Sequence, residues 1–185
     1  MVRVVSAPLF GFYVSLSGKQ KYEMFDLNLP RYAHKMRLKD GKRQIYDRLR
    51  KKFVALTPEE WVRQNFTQFL LETKGFPSGR TVHEATLNQH GRTKRCDTVV
   101  YDDRMQPLVI VEYKAPGVVL TEKTFQQIAT YNWALRVRYL IVSNGLSHYC
   151  CRVNYEDQRV DFLGEIPDYA EMVTENDRSS QDGQS

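Results

Sequence analysis

Leu108-Val109-Ile110-Val111-Glu112-Tyr113-Lys114-Ala115-Pro116 is the stretch on which the fold turns. Its opening apolar run, rich in β-branched residues, leaves no polar face, which is the pattern of a central strand covered on both sides. Pro116 has no N–H to give, so backbone pairing stops there. Two charges nevertheless stand in the run, at Glu112 and Lys114, and alternation puts them on the same face of the strand. A bare Glu-x-Lys is ordinarily a surface ion pair. Placed at the end of the most hydrophobic strand in the chain, it becomes a candidate for chemistry.

Working outward, Asp97-Thr98-Val99-Val100-Tyr101 reads as the preceding strand, and Thr81 to Leu87 as the one before it, with a turn from Asn88 to Thr93 around Gly91. A hairpin between the Asp97 strand and the Glu112 strand brings the two carboxylates close together. Carboxylates converging without a cation between them repel, and the usual remedy is a divalent ion with oxygen ligands, Mg²⁺ by preference where phosphate is the substrate and Mn²⁺ as a substitute. Lys114 would then stand beside the ion, able to stabilise charge on a phosphoryl oxygen or to orient an attacking water.

Downstream, Thr121 and Glu122 open a helix expected to run to about Arg136, and Tyr139-Leu140-Ile141-Val142-Ser143 is the next strand, which makes a strand–helix–strand crossover. Gln127 and Tyr131 share a face of that helix. Directed at the strand ends, they could hold a nucleotide or the attacking water; the alternative is a half-buried aromatic beside a solvated amide. Ser147 to Val153 and Arg159 to Leu163 read as a closing hairpin. Upstream, Thr57-Pro58-Glu59-Glu60 carries a helix start: Thr57 caps, Pro58 takes the first helical position, and Glu60 can return the capping-box bond. Val62, Phe66, Phe69 and Leu70 form one apolar face, and Gly75 ends the run.

With 185 residues, 42% of them hydrophobic and 26% charged, the chain can bury one compact core and has no room for a second large one. No stretch approaches the roughly 18 uninterrupted apolar residues of a membrane span. Cys96, Cys150 and Cys151 are odd in number and match no metal spacing, which fits a reducing cytoplasm. The net charge of +5 is unevenly spread. Residues 165–185 hold six acids against Arg178, so the remainder carries 26 Lys and Arg against 16 acids, a net of +10. A body that basic attracts a polyanion.

Ten of those cations fall between Arg31 and Lys52, interleaved with Tyr32, His34, Tyr46 and Phe53. The segment reads either as an arm lying along a phosphate backbone or as a solvated hairpin or helix turn around Asp40-Gly41. Arg50, Lys51 and Lys52, with Arg92, Lys94 and Arg95 beside Asp97, are the candidate nucleic-acid contacts. The first 23 residues look at a glance like a signal peptide, but Pro8 and Gly11 interrupt the apolar run, and an extension or an upstream start is the expectation. From Asn176 the composition predicts disorder.

Taken together, Arg95-Cys96-Asp97-Thr98-Val99-Val100-Tyr101, Val111-Glu112-Tyr113-Lys114-Ala115-Pro116, Phe125-Gln126-Gln127-Ile128-Ala129-Thr130-Tyr131-Asn132 and Tyr139 to Gly145 resemble the N-terminal nuclease domain of type I restriction enzyme R subunits, in the PD-(D/E)XK superfamily. The resemblance covers roughly Leu56 to Val153. It implies an α/β fold with a mixed β-sheet flanked by helices, Mg²⁺-dependent hydrolysis of DNA phosphodiesters, metal ligation by Asp97 and Glu112, a catalytic Lys114, and Gln127 and Tyr131 beside the active site. Cys96 stands where the superfamily's name has proline. Glu60 and Gln64 could supply the first-helix polar residue that the family often uses, but the capping role of Glu60 keeps both out of the core set. No Gly-x-x-x-x-Gly-Lys-Ser/Thr phosphate loop is present, so the expectation is a stand-alone nuclease module, or a catalytically inactive binding or accessory subunit that works with a separate motor or specificity subunit. RNA and branched DNA remain open as targets beside duplex DNA. The expected organisation is an extension (1–23), a basic arm (24–56), a nuclease-like core (57–164) and an acidic tail (165–185) disordered from about 176.

Overall fold

The computed structural model describes residues 25–89, 91–121, 125, 132 and 136–182, the side chains of 89, 92, 94 and 178–182 excepted. The expected extension 1–23 lies outside the described residues. Six strands form the main sheet: β4 (Thr81–Gln89), β5 (Arg92–Tyr101), β6 (Pro107–Tyr113), β7 (Tyr139–Ser143), β8 (His148–Asn154) and β9 (Arg159–Leu163), in that spatial order. All neighbours run antiparallel except β6 and β7, which are parallel with Glu112 opposite Val142. The sheet is therefore mixed, and the apolar run 108–113 lies at its centre as its composition requires.

Both faces of β6 are covered. Val109, Val111 and Tyr113 pack with Val62, Phe66 and Leu70 of α1 (Pro58–Glu72), while Ile110 packs with Val99, Phe125, Leu140 and Val142 on the other face. Phe125 and Asn132 are the helical residues described in the crossover between β6 and β7. The rest of the expected helix 121–136, including Gln127 and Tyr131, lies outside the described residues.

Half of the expected capping box forms. Thr57 Oγ1 accepts the N–H of Glu60 at 3.0 Å, with Pro58 in the first turn. The reciprocal bond does not form: the Thr57 N–H goes to the carbonyl of Ala55, and the Glu60 carboxylate turns to Arg50 and Arg63. At the other end Gly75 takes φ +68°, which lets the chain reverse so that Phe76 donates to the Leu70 carbonyl and returns to the core.

Two expectations from the sequence are corrected. The basic segment, within the described residues 25–56, takes the hairpin alternative around Asp40-Gly41 and not that of an arm: β1 (Met36–Lys39), β2 (Lys42–Asp47) and β3 (Lys52–Ala55) form an antiparallel sheet. Its first turn is Asp40-Gly41, both residues at positive φ, the geometry that suits a two-residue hairpin. Ile45 and Asp47 are completely buried, His34 bonds Asn65 in the middle of α1, and Tyr32 bonds Thr73 at its C-terminal cap. Arg50 of this segment pairs with Glu60 and His34 bonds Asn65, on a side of α1 where Glu60, Gln64, Asn65 and Gln68 are buried, while Arg63 and Thr67 are buried with partners on the main sheet.

The acidic end is likewise no free tail. Helix α2 (Tyr169–Asp182) runs past the boundary set at 176. Met172 is fully buried, Tyr169 donates to the Tyr101 carbonyl at 3.0 Å, and Glu175 accepts from Tyr139 and pairs with Arg152. Apolar residues at helical spacing anchor it, and part of its negative charge is spent on Arg152 and Arg104.

Candidate active site

Alternation along β4 and β5 breaks at one level of the sheet. His83 bonds Thr67 of α1, yet Ala85 packs on the opposite face; Thr98 accepts from Tyr113 on the α1 side, yet Cys96 packs on the opposite face. Between them lie Glu84 and Asp97. Glu84 has φ +54°, a left-handed conformation inside a strand that costs a non-glycine residue energy and turns the chain over by one face. The two strands change face together, and Asp97 is left at the crossing.

There β5 leaves β6. Thr98 opposite Val111 is the last pair of the ladder at this end, so the Tyr113 N–H has no carbonyl from β5. It donates instead to Asp97 Oδ2 at 2.9 Å. The carboxylate is thereby held against the backbone of Glu112-Tyr113. Lys114 Nζ lies 3.3 Å from Glu112 Oε1, and the side chains of Asp97, Glu112 and Lys114 are 24%, 19% and 30% exposed. Each is partly desolvated and open to solvent, as groups that meet a substrate need to be. The structure brings these three sequence candidates together.

A network of charges the sequence did not reveal stands behind them. Arg63 of α1, only 7% exposed, donates to Asp97 Oδ1 at 3.1 Å and lies 3.3 Å from Glu60. Glu60 also accepts from Arg50 at 2.7 Å and from Gln64 at 2.8 Å. Arg50 pairs with buried Asp47 and, at 3.1 Å, with Glu84. Burial works against the charge of Asp47, but its bonds with His83 and Arg50 prevail and hold the carboxyl well below the usual carboxylate range. For Glu84 burial again opposes ionisation, and Arg50, Arg95 and Arg63 outweigh it and lower the pKa.

From Asp47 a buried polar chain crosses to the site. His83 Nδ1 bonds Asp47 at 2.7 Å, His83 Nε2 bonds Thr67 Oγ1 at 3.0 Å, and Thr67 bonds the Tyr113 hydroxyl at 3.2 Å. Tyr113 in turn donates to Thr98 at 3.1 Å. Burial pushes the Tyr113 phenol up to about 12, so it stays a neutral donor. The residue whose N–H positions Asp97 is thus fixed at both ends.

The candidate nucleic-acid contacts divide. Arg50 is engaged by Asp47, Glu60 and Glu84 and is 12% exposed, so it holds the scaffold and is not presented to solvent as a phosphate contact. Lys51 and Lys52 are exposed at the β2–β3 turn. Arg95 is 70% exposed and reaches Glu84 at 3.0 Å. The backbones of Arg92 and Lys94 lie on β5 opposite Gln89 and Leu87.

Among the described residues no group of three or more His, Cys, Asp or Glu side chains is arranged as a complete metal cage. The donor set of Asp97 and Glu112 still suits Mg²⁺, which dehydrates reluctantly and is commonly held by one or two carboxylates, with water and substrate oxygens completing its shell.

Comparison with known proteins places the site in context. A family model described as type I restriction enzyme R protein N terminus matches residues 58–167, which include Asp97, Glu112 and Lys114. Among solved structures, a chain described as a fragment of an HsdR subunit of a type I restriction enzyme from Vibrio vulnificus YJ016 is similar at 19% identity and a TM-score of 0.47, over 65% of this chain and 25% of that one. The chain therefore spans about a quarter of the length of that relative. Comparison with curated proteins gives no match.

Proposed function

We propose, from the premise that this chain belongs to the family of type I restriction enzyme R protein N termini, that it is a Mg²⁺-dependent DNA endonuclease built on a PD-(D/E)XK-like core. The observation that carries the reading is the Asp97 carboxylate bound to the N–H of Tyr113, beside Glu112 and Lys114 at the end of the central strand. Two carboxylates and an amine, partly exposed at the end of the central strand, are placed where a phosphate could reach them.

In this reading Asp97 and Glu112 hold Mg²⁺, with Mn²⁺ as a substitute. Such an ion, when bound, polarises the phosphoryl group. Tyr113 keeps Asp97 in place through its backbone, and Lys114 places its ammonium where charge grows on the phosphoryl oxygens or where the attacking water must be oriented. Gln127 and Tyr131 belong to the proposal as contacts to that water or to a nucleotide. The module acts on DNA in the cytoplasm, alone or beside a motor or specificity subunit.

One observation favours a second reading. Arg63 lies 3.1 Å from Asp97 and Lys114 3.3 Å from Glu112, so both carboxylates already have a cationic partner. A catalytically inactive DNA-binding or accessory subunit would need no more. Titration calorimetry with Mg²⁺ or Mn²⁺ in the presence of DNA separates the two. Binding of an ion by the wild type that is lost in Glu112→Ala supports the nuclease; no ion binding at all supports the accessory subunit.

A further inference from the structure

The solvent face of the small sheet presents an arrangement that neither the site nor its scaffold uses. On one face of β1–β3, Ile45 and Asp47 point into the body and are fully buried. Alternation sends Tyr46 to the opposite face, where it stands directly across from Phe53 on β3. The two half-buried rings meet edge to face, with centroids 5.2 Å apart. Arg37, opposite Gln44, lies on the same face, and its guanidinium sits 3.9 Å above the Phe53 ring. Lys35 Nζ is 5.7 Å from both ring centroids. Lys39 and Lys42, paired across the hairpin, extend the row of cations to its tip. All four cations are exposed, and among the described residues none of them is in an ion pair.

We propose that this face of the β1–β3 sheet is a docking platform for single-stranded DNA, with bases stacked on Tyr46 and Phe53 and the backbone followed by Lys35, Arg37, Lys39 and Lys42. Duplex DNA offers its phosphates but buries its base faces. Adjacent aromatic rings on an open sheet, bordered by exposed cations, match a strand whose bases are free to stack. The guanidinium over Phe53 marks that ring as a surface accepting a flat, delocalised group; a base takes its place and leaves Arg37 to a phosphate. Tyr46 precedes Asp47, the residue that joins this sheet through Arg50 to Glu60 and Glu84 beside Asp97, so the β2–β3 turn, with Lys51 exposed on it, links the platform strand to the candidate site.

The choice of DNA rests on the function proposed above; the surface itself uses none of Asp97, Glu112 and Lys114. Its test is fluorescence anisotropy with the full chain in EDTA, using labelled dT12, a duplex of mixed sequence of the same length, and the RNA U12. At equal salt dT12 should bind at least about tenfold tighter than either competitor. Tyr46→Ala with Phe53→Ala should lose about tenfold or more in dT12 affinity with the salt slope unchanged. Lys39→Gln with Lys42→Gln should instead lower the slope, by about 0.7 for each phosphate no longer neutralised. Tyr46→Leu with Phe53→Leu keeps the apolar bulk, guards against a failure to fold, and should bind as weakly as the alanine pair. Equal affinity for duplex or U12, or wild-type affinity in the folded leucine pair, overturns the proposal. EDTA suppresses cleavage, so failure of the nuclease reading shows only as absent Mg²⁺-dependent cutting and leaves this result standing.

Discussion

Arg63 donates to Asp97 Oδ1 at 3.1 Å while the Tyr113 N–H donates to Oδ2, so a carboxylate that would hold a divalent ion already has a cationic partner from the first helix. Arg63→Gln should therefore have two effects. Unfolding in urea should show a loss of about 3–5 kcal/mol, because Glu60 and Asp97 lose a buried partner. Added Mg²⁺ should raise the melting temperature of the variant more than that of the wild type, since the competing cation is gone.

Asp47 makes a prediction about acid. Its pKa is depressed in the folded chain, so its contribution to stability is fully present above the unfolded carboxylate value of about 4 and is lost as pH falls from there toward the folded value. Wild-type stability should fall as pH drops below about 4, with Glu84 adding to the same slope. Asp47→Asn should flatten that part of the curve and, at neutral pH, cost about 3–5 kcal/mol by taking from Arg50 and His83 the buried carboxylate they share. Urea titrations from pH 3 to 8 measure both; an unchanged acid slope would place the sensitivity elsewhere.

Tyr113→Phe separates the two ends of that residue. The hydroxyl bonds to Thr67 and Thr98 are lost, at a cost of about 1–2 kcal/mol in chemical denaturation, while the backbone N–H that holds Asp97 remains. Mg²⁺ affinity should stay at the wild-type level.

Lys51 and Lys52 carry the phosphate test that Arg50 does not. Reversing both to Glu should flatten the salt dependence of duplex DNA binding by about 0.9 in log K per log salt for each phosphate no longer neutralised, with the melting temperature little changed. Reversing Arg50 should instead unfold the chain, since it would place a third carboxylate between Asp47 and Glu60.

The central strand, its neighbours and the placement of Asp97, Glu112 and Lys114 at the strand ends were legible because a strand pattern is local: alternation, β-branching and a charge in an apolar run are visible within ten residues. The charge network was not. Arg50 and Glu84 are joined across the two sheets, as are Asp47 and His83, and no spacing rule connects such positions. Glu60 was hidden by a sound local reason, the capping box, whose return bond the arginines displaced. The reversal of faces at Glu84 was equally silent, because glutamate carries no mark of a left-handed backbone in the way glycine does. The basic segment 31–52 read equally as an arm or as a hairpin around Asp40-Gly41 because its charges outnumber its apolar residues; the hairpin forms, with Ile45 and Asp47 buried.

Metal-dependent cleavage is decided by incubating the purified chain with supercoiled plasmid in Mg²⁺ or EDTA, beside Glu112→Ala and Lys114→Ala. The wild type should nick the plasmid only with Mg²⁺, and nicking should fall at least about 100-fold in either variant while both keep the wild-type fold by circular dichroism. Equal nicking by all three proteins, or nicking that persists in EDTA, would contradict metal-dependent cleavage by this chain.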